Sequence, residues 1–184
     1  MTIERLRTLR ASMSKRRWMR LWAAGASLLM CQILGAENPR CGMPLPQGSY
    51  RVSSPYGMRV HPISGVRRIH WGSDLASPVG TPVYAMRDGV VVLAGRCGCY
   101  GNVLVVVDSG NVVTLYAHLS RFAAGLRPGV AVKLGEFIGR VGATGCVTGP
   151  HLHFEVWNAG KRINPETACE SLPKQPYTSP KEVN

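Results

Sequence analysis

The chain has 184 residues and a hydrophobic content of 45%, which suit one folded domain with tails. Its 21 glycines and 13 prolines favour many short strands joined by turns over long helices. The net charge of +12 divides equally, since residues 1–36 hold seven basic and one acidic residue and residues 37–184 hold fifteen and nine. The basic residues of the second part are scattered and no aromatic-basic motif accompanies them. This pattern excludes nucleic acid as the expected partner and favours another anionic partner.

Residues 1–36 have the composition of an export signal. A basic segment, 1–20, precedes a mostly apolar run, 21–36. At sixteen residues this run is shorter than the roughly 20 that span a bilayer, so a cleaved signal peptide is favoured over an uncleaved membrane anchor. Both interpretations predict an exported protein of the periplasm or cell envelope, and the second adds association with the inner membrane.

After a lead-in at 37–49, residues 50–169 contain short β-branched and apolar segments bounded by turn residues. Residues 61–73 are predicted as a loop and 95–101 as a hairpin turn. The predicted strands are 51–60 (broken by a turn), 74 onward, 80–85, 89–94, 102–108, 112–119, 130–133, 137–141 and 150–157. No helical period is evident there. The spacing predicts a mainly β protein, with a single antiparallel β-sheet domain at 50–169 and a flexible tail at 170–184.

The last long strand carries the densest group of polar side chains. Its sequence from Gly149 to Val156 alternates polar and apolar residues, so His151, His153 and Glu155 are expected on one face and the apolar residues on the other. Two imidazoles at this spacing are close enough to share a site. The alternative is a pair of surface histidines on an amphipathic strand.

Two further segments supply groups that bind metals. His70 precedes Asp74 by four residues, and His118 ends the strand 112–119. A catalytic zinc takes three protein ligands of the N and O type and leaves one position open. His70, Asp74 and a histidine of the last strand would meet that need, and two histidines would remain to handle protons. Spacing alone does not decide which of His151 and His153 binds the metal.

Taken in order, five motifs resemble those of the lysostaphin-type, or LytM-like, zinc metallopeptidases of peptidase family M23. They are His70-x-Gly72-x-Asp74, Gly80–Ala85, Tyr100-Gly101-Asn102, Tyr116-Ala117-His118-Leu119 and the segment Gly145–Glu155, which contains Gly-Pro-His-Leu-His-Phe-Glu. The resemblance covers about residues 50–168. It implies a LytM-like antiparallel β fold with a metal-containing groove, one Zn²⁺ per chain, and hydrolysis of peptidoglycan peptides.

Matched position by position, the resemblance implies His70, Asp74 and His153 as the zinc ligands. It implies His118 and His151 as the two catalytic histidines. His61 matches a family position outside this set and is interpreted as structural or groove-lining. Glu155 shares the face of the two strand histidines, so it could orient an imidazole from behind. The alternative is that Glu155 is exposed or forms a salt bridge.

Five of the six cysteines lie beyond residue 36, which predicts two disulfides and one free thiol in an exported domain. We expect Cys97 or Cys99 to pair with Cys146, and Cys41 to pair with Cys169. The alternative is a zinc bound by Cys97, Cys99 and Cys146, but the C-x-C spacing matches structural zinc sites poorly.

The expected function is therefore that of a zinc metalloendopeptidase acting on peptidoglycan cross-links during wall remodelling, either alone or in an envelope assembly. One alternative is a non-catalytic relative that binds peptidoglycan or activates a partner hydrolase. The presence of all five site residues favours the enzyme over that alternative. A purely structural metal site is disfavoured because it would want four protein ligands. The sequence leaves open whether glycyl bridges or D-alanyl-diaminopimelate cross-links are cut.

Overall fold

The computed structural model describes residues 41–60 and 65–172. The predictions for the export segment 1–36, for His61 and for most of the tail lie outside the described residues. Within the described ranges, no helix combines the length and apolar character that crossing a membrane requires.

The described residues form short strands and very little helix. The strands are β1 (Arg51–Ser54), β2 (Gly57–Val60), β3 (Arg67–His70), β4 (Ser73–Ala76), β5 (Pro82–Tyr84), β6 (Gly89–Cys97), β7 (Gly101–Val107), β8 (Val113–Phe122), β9 (Ala131–Val132), β10 (Phe137–Val141), β11 (His151–Asn158) and β12 (Lys161–Ile163). A 3-10 turn spans Gly98–Tyr100, and a single-turn helix, α1, spans Ala168–Ser171.

Ten of these strands form one sheet, whose central path runs β1-β4-β11-β8-β7-β6-β9. Strand β10 pairs with β5 and β8, β12 pairs with β11, and β2 and β3 form a separate hairpin. All of these pairs are antiparallel. The predicted antiparallel β domain is therefore confirmed. Its topology places β11 between β4 and β8, beside the strands that carry Asp74 and His118.

Strand β11 also shows where the sequence prediction was incomplete. Its apolar face is fully buried, as expected, with Leu152 and Phe154 in the core beside Tyr116 of β8. Its polar face is largely covered too, since His153 is 8% exposed, Glu155 only 1%, and His151 is half-buried. Alternation predicts two unlike faces, but it does not tell which polar face is covered by other parts of the chain. The interpretation as a pair of surface histidines is therefore wrong.

Several elements differ from the predicted ones. Residues 67–70, predicted as loop, form β3, because this arginine-rich segment pairs with β2 outside the main sheet and needs no buried face. Strand β6 continues to Cys97, where a hairpin turn was predicted to begin at 95. Strand β12 and helix α1 were not predicted, because three and four residues are too few to show a period.

The two expected disulfides are present. Cys41 is bonded to Cys169 and Cys99 to Cys146, while Cys97 is free and exposed. The bond between Cys99 and Cys146 is incompatible with the alternative zinc site, which needs both as thiolates. The first disulfide joins the two ends of the described domain, and the second joins the turn after β6 to the loop before β11.

Candidate metal centre and active site

Three elements bring together a cluster of two histidines and one aspartate. His70 ends β3, Asp74 lies in β4, and His153 of β11 is the direct register partner of Asp74. The turn between β3 and β4 has to pass close behind this pair. A Cβ atom on Gly72 would lie 2.5 Å from the carbonyl oxygen of Phe154 and 2.9 Å from Cε1 of His153, so only glycine fits. The glycine of the His-x-Gly-x-Asp motif therefore sets the approach of β3 to β11.

The donor atoms of the cluster are spaced as a metal requires. Oδ1 of Asp74 lies 3.2 Å from Nε2 of His70 and 2.8 Å from Nδ1 of His153, and these two nitrogens are 3.2 Å apart. Tetrahedral zinc with bonds of about 2.0–2.1 Å separates its ligand atoms by about 3.3 Å. Two imidazole nitrogens and one carboxylate oxygen are also a donor set that suits zinc. Among the described residues, this is the one group of three His, Cys, Asp or Glu side chains placed to hold a metal ion.

Each histidine of the cluster is held by its other ring nitrogen. His70 donates from Nδ1 to the carbonyl oxygen of Pro55 at 3.0 Å. His153 donates from Nε2 to Oε1 of Glu155 at 3.1 Å. Such contacts fix the ring orientation and leave Nε2 of His70 and Nδ1 of His153 directed at Asp74.

Glu155 is buried and fully hydrogen-bonded. Besides His153, its carboxylate accepts hydrogen bonds from Tyr100 Oη at 2.7 Å, Trp157 Nε1 at 2.8 Å and Arg162 Nε at 2.8 Å. Burial alone would raise the pKa of Glu155, but these donors outweigh it and lower the pKa to about 2. The two interpretations of Glu155 therefore both hold in part, because one carboxylate orients an imidazole and forms a salt bridge with Arg162.

His118 and His151 stand beside the cluster. Their ring centroids are 4.7 Å apart, and Nε2 of His151 lies 3.7 Å from Oδ1 of Asp74. His118 donates from Nδ1 to the carbonyl oxygen of Thr144 at 2.8 Å, and His151 donates from Nδ1 to that of Gly149 at 2.9 Å. In both neutral rings Nε2 is then the nitrogen that carries a lone pair.

The backbone of His118 is strained in a way that aims its side chain. Its φ angle of 63° is in the left-handed region, which is uncommon for a residue with a Cβ atom. The register of β7 on β8 shifts between Asn102, which faces Leu119, and Leu104, which faces Tyr116. This bulge inserts one extra residue in β8 and turns His118 out of the regular alternation. The sequence predicted the histidine at the strand end but gave no sign of the bulge.

The protonation of the site follows from burial and from its neighbours. Burial lowers the pKa of His118 to about 4, so this imidazole is neutral near pH 7. Burial would raise the pKa of Asp74, but hydrogen bonds from His153 and His70 hold it well below its usual range. Burial would lower the pKa of His153, but the carboxylates of Asp74 and Glu155 raise it.

All five predicted site residues line one groove with a volume of about 420 Å³. Its lining residues are Ser53, Ser54, Arg59, His70, Asp74, Cys99, Tyr100, His118, Cys146, Val147, Thr148, His151 and His153. Of the groups behind the imidazoles, Glu155 was considered from the sequence, but the carbonyls of Pro55 and Thr144 were not predicted, because they carry no sequence signal. Arg162 could have been found only as a basic residue seven positions after Glu155 on the next strand.

An antiparallel β domain with a His-Asp-His cluster in a groove is the kind of arrangement that metallopeptidases carry. The sequence profile of Peptidase family M23 matches residues 68–165. The chain therefore belongs to peptidase family M23, as its motifs indicate.

Among curated proteins, the chain is 47% identical over 124 residues to the DD-carboxypeptidase/endopeptidase Mpg of Neisseria meningitidis, covering 67% of this chain and 28% of that protein. It is 42% identical over 118 residues to the peptidoglycan DD-endopeptidase ShyC of Vibrio cholerae, covering 64% and 27%. The chain thus spans less than a third of the length of these relatives.

Two solved structures show the same fold. A zinc-containing peptidase from Vibrio cholerae aligns with a TM-score of 0.62 and 35% identity, over 67% of this chain and 38% of that chain. The catalytic domain of lysostaphin from Staphylococcus simulans aligns with a TM-score of 0.58 and 31% identity, over 66% of this chain and 92% of that chain.

Proposed function

We propose that this chain is a zinc metalloendopeptidase that hydrolyses peptide cross-links of bacterial peptidoglycan. The observation that carries the proposal is the placement of His118 and His151, whose rings are 4.7 Å apart beside the ligand cluster in one groove. A metal site that only stabilised the fold would not require two further imidazoles beside its ligands.

His70, Asp74 and His153 would hold one Zn²⁺ through Nε2, Oδ1 and Nδ1, because these atoms have the spacing and chemistry that zinc prefers. When bound, the zinc would supply Lewis-acid polarisation of the scissile carbonyl and lower the pKa of the attacking water. Glu155 would act as a positioning residue, since its carboxylate holds the ring of His153 from behind.

His118 and His151 would handle the proton of the attacking water. Because both donate from Nδ1 to backbone carbonyls, both Nε2 atoms can accept hydrogen bonds from one water molecule. His118 is the poorer proton acceptor, because burial lowers its pKa to about 4. We therefore assign the proton to His151, whose Nε2 lies 3.7 Å from Oδ1 of Asp74. The proton that Nε2 of His151 has accepted can then be transferred to the leaving amine. His118 keeps the attacking water oriented. No glutamate is needed as general base.

The names of the relatives bear on the substrate. Mpg is named a DD-carboxypeptidase/endopeptidase and ShyC a peptidoglycan DD-endopeptidase. We therefore favour D-alanyl-diaminopimelate cross-links over glycyl bridges as the bond that is cut. The basic and apolar composition of residues 1–36 supports export to the periplasm or cell envelope, by a cleaved signal or with an inner-membrane anchor.

A non-catalytic envelope protein that binds peptidoglycan or activates another hydrolase remains the competing function. The experiment that separates the two is digestion of purified sacculi followed by separation of the soluble muropeptides. The enzyme is expected to convert D-alanyl-diaminopimelate dimers to monomers, and a chelator is expected to stop the conversion until zinc is restored. Unchanged dimers in the presence of zinc would reject the enzyme.

A further inference from the structure

A pair of arginines lies next to the ligand cluster, and neither arginine takes part in the proposed mechanism of hydrolysis. Arg59 of β2 and Arg68 of β3 are direct register partners in the hairpin, so both point to the same face. That face lines a cavity of about 200 Å³, and the two cluster histidines His70 and His153 line it as well. The cavity therefore shares walls with the groove.

Two like charges directly opposite each other on a hairpin repel, and little in the described part of the chain offsets this. Among the described residues, Arg59 has one ion-pair partner, Oδ2 of Asp74, 3.5 Å from its Nη2 atom. Arg68 is exposed and makes no ion pair or hydrogen bond with residues 41–60 or 65–172. The one carboxylate that also lines the cavity is that of Glu155, and it is buried and already paired with Arg162. The two guanidinium groups therefore give this wall of the cavity a positive charge that Asp74 and Glu155 offset only in part.

We infer that Arg59 and Arg68 bind the free carboxylate that lies beside the scissile amide on its amine side. This inference rests on the proposed function and names the substrate feature that the site selects. Guanidinium groups match a carboxylate through paired N–H donors, and an anion between two of them converts their repulsion into attraction.

The distances select a carboxylate close to the scissile bond. Arg59 contacts Oδ2 of Asp74 while Oδ1 of the same carboxylate belongs to the ligand cluster. The guanidinium is therefore about one residue length from the place where the scissile carbonyl would lie. In a D-alanyl-diaminopimelate cross-link, three bonds separate the scissile carbonyl carbon from the neighbouring free carboxylate, a span of about 3–4 Å.

The test compares two synthetic cross-linked peptide dimers with the full chain loaded with zinc. In one dimer the carboxylate beside the scissile amide is free, and in the other it is converted to the carboxamide. The unaltered protein is expected to cleave the free acid with a kcat/KM about 10- to 100-fold higher, the range for hydrogen bonds to a charged group. Arg68→Ala is expected to remove most of this preference through KM, by lowering kcat/KM for the free acid alone.

Arg67→Ala is the matched control, because Arg67 is the next residue of β3, points to the other face and does not line the cavity. It is expected to keep the preference, and Arg68→Lys is expected to restore only part of it, since lysine lacks the planar fork. Melting curves would check that each variant is folded.

Equal cleavage of both dimers by the unaltered protein would overturn the inference and leave the proposed function standing. An equal loss on both dimers in Arg68→Ala would also overturn it, because that loss would be structural. Cleavage of neither dimer by the zinc-loaded protein would overturn the proposed function and the inference together.

Discussion

At the scale of single residues, the site depends on groups that hold the imidazoles from behind. Glu155 is the clearest case, because one buried carboxylate accepts hydrogen bonds from four side chains, including the proposed ligand His153. Its position is fixed by the alternation of β11, which the sequence predicted. Its burial is due to β12 and to the turn before β7, and the alternation within β11 gives no information about either element.

We expect Glu155→Gln to weaken zinc binding about 10- to 100-fold, because the amide cannot accept from all four donors. The free energy of unfolding should fall by about 1–3 kcal/mol, the cost of a buried polar group left unpaired. Zinc titration and urea unfolding would measure the two effects. Glu170→Gln, at an exposed position of α1, is the control and should change neither. Zinc binding unchanged by Glu155→Gln would remove Glu155 from its positioning role.

Tyr116 gives a prediction for alkaline pH. Burial raises its pKa to about 12 from the ordinary value of 10, and its hydroxyl accepts a hydrogen bond from the backbone N–H of Met86 at 2.8 Å. The folded state thus keeps the phenol proton to a higher pH than the unfolded state does. The stability that this provides is present below pH 10 and is lost as the pH rises toward 12. Tyr116→Phe should therefore show a shallower loss of stability over that interval in denaturant unfolding, and equal slopes would contradict the assignment.

At the scale of secondary-structure elements, the sequence predicts the strands that carry the site better than the contacts between them. The β-branched runs and turn residues predicted most of the main sheet, because those strands bury an apolar face. Strand β3 was missed, since this short segment is rich in arginine and lacks the apolar run by which a buried strand is predicted. The bulge at His118 was missed as well, because it arises from the pairing of β8 with β7 and leaves no local signal.

The turn between β3 and β4 should tolerate no side chain. We expect Gly72→Ala to displace β3 from β11 and so to lower zinc affinity and activity together, because its Cβ atom would meet Phe154 and His153. Gly95→Ala is the matched control, since a Cβ atom on Gly95 of β6 meets nothing within 4 Å and its backbone is not left-handed. Zinc affinity and peptide hydrolysis would be measured for both. A Gly72→Ala protein that binds and cleaves normally would contradict the close approach.

The two disulfides are expected to differ in what they support. Cys41 and Cys169 are 128 residues apart in sequence, and Cys99 and Cys146 are 47 residues apart. In the chain-entropy account, the two bonds would raise the free energy of unfolding by up to about 5 and about 4 kcal/mol. Cys99 and Cys146 also line the groove, and Cys146 donates its backbone N–H to the carbonyl of Cys99 at 3.0 Å.

Serine replacement of both Cys99 and Cys146 should therefore lower kcat/KM as well as the melting temperature. Serine replacement of Cys41 and Cys169 should lower the melting temperature and leave the activity of the folded protein intact. Cys97→Ser is the control for loss of a thiol. Equal activities of the two double variants would show that the Cys99–Cys146 bond does not shape the groove.

At the scale of the whole molecule, the antiparallel sheet brings three adjacent strands, β4, β11 and β8, under one groove and places a site residue on each. The five residues proposed from the motifs as ligands and catalytic histidines lie together in this groove, because their motifs fall on neighbouring strands. The neighbouring groups that tune the site, such as Arg59 and Arg162, come from the hairpin and from β12. Their contribution became visible only in three dimensions.

The proposed peptidase activity depends on a three-residue zinc ligand cluster and on two separate catalytic histidines. The most direct test measures zinc content and the release of amino groups from purified peptidoglycan, for the unaltered chain and for His151→Ala. We predict one zinc per chain in both proteins, with hydrolysis reduced about 10²- to 10⁴-fold in the variant, the usual contribution of a general base. Absence of zinc from the unaltered protein would contradict the ligand assignment, and full activity in the zinc-bound variant would contradict the catalytic role of His151.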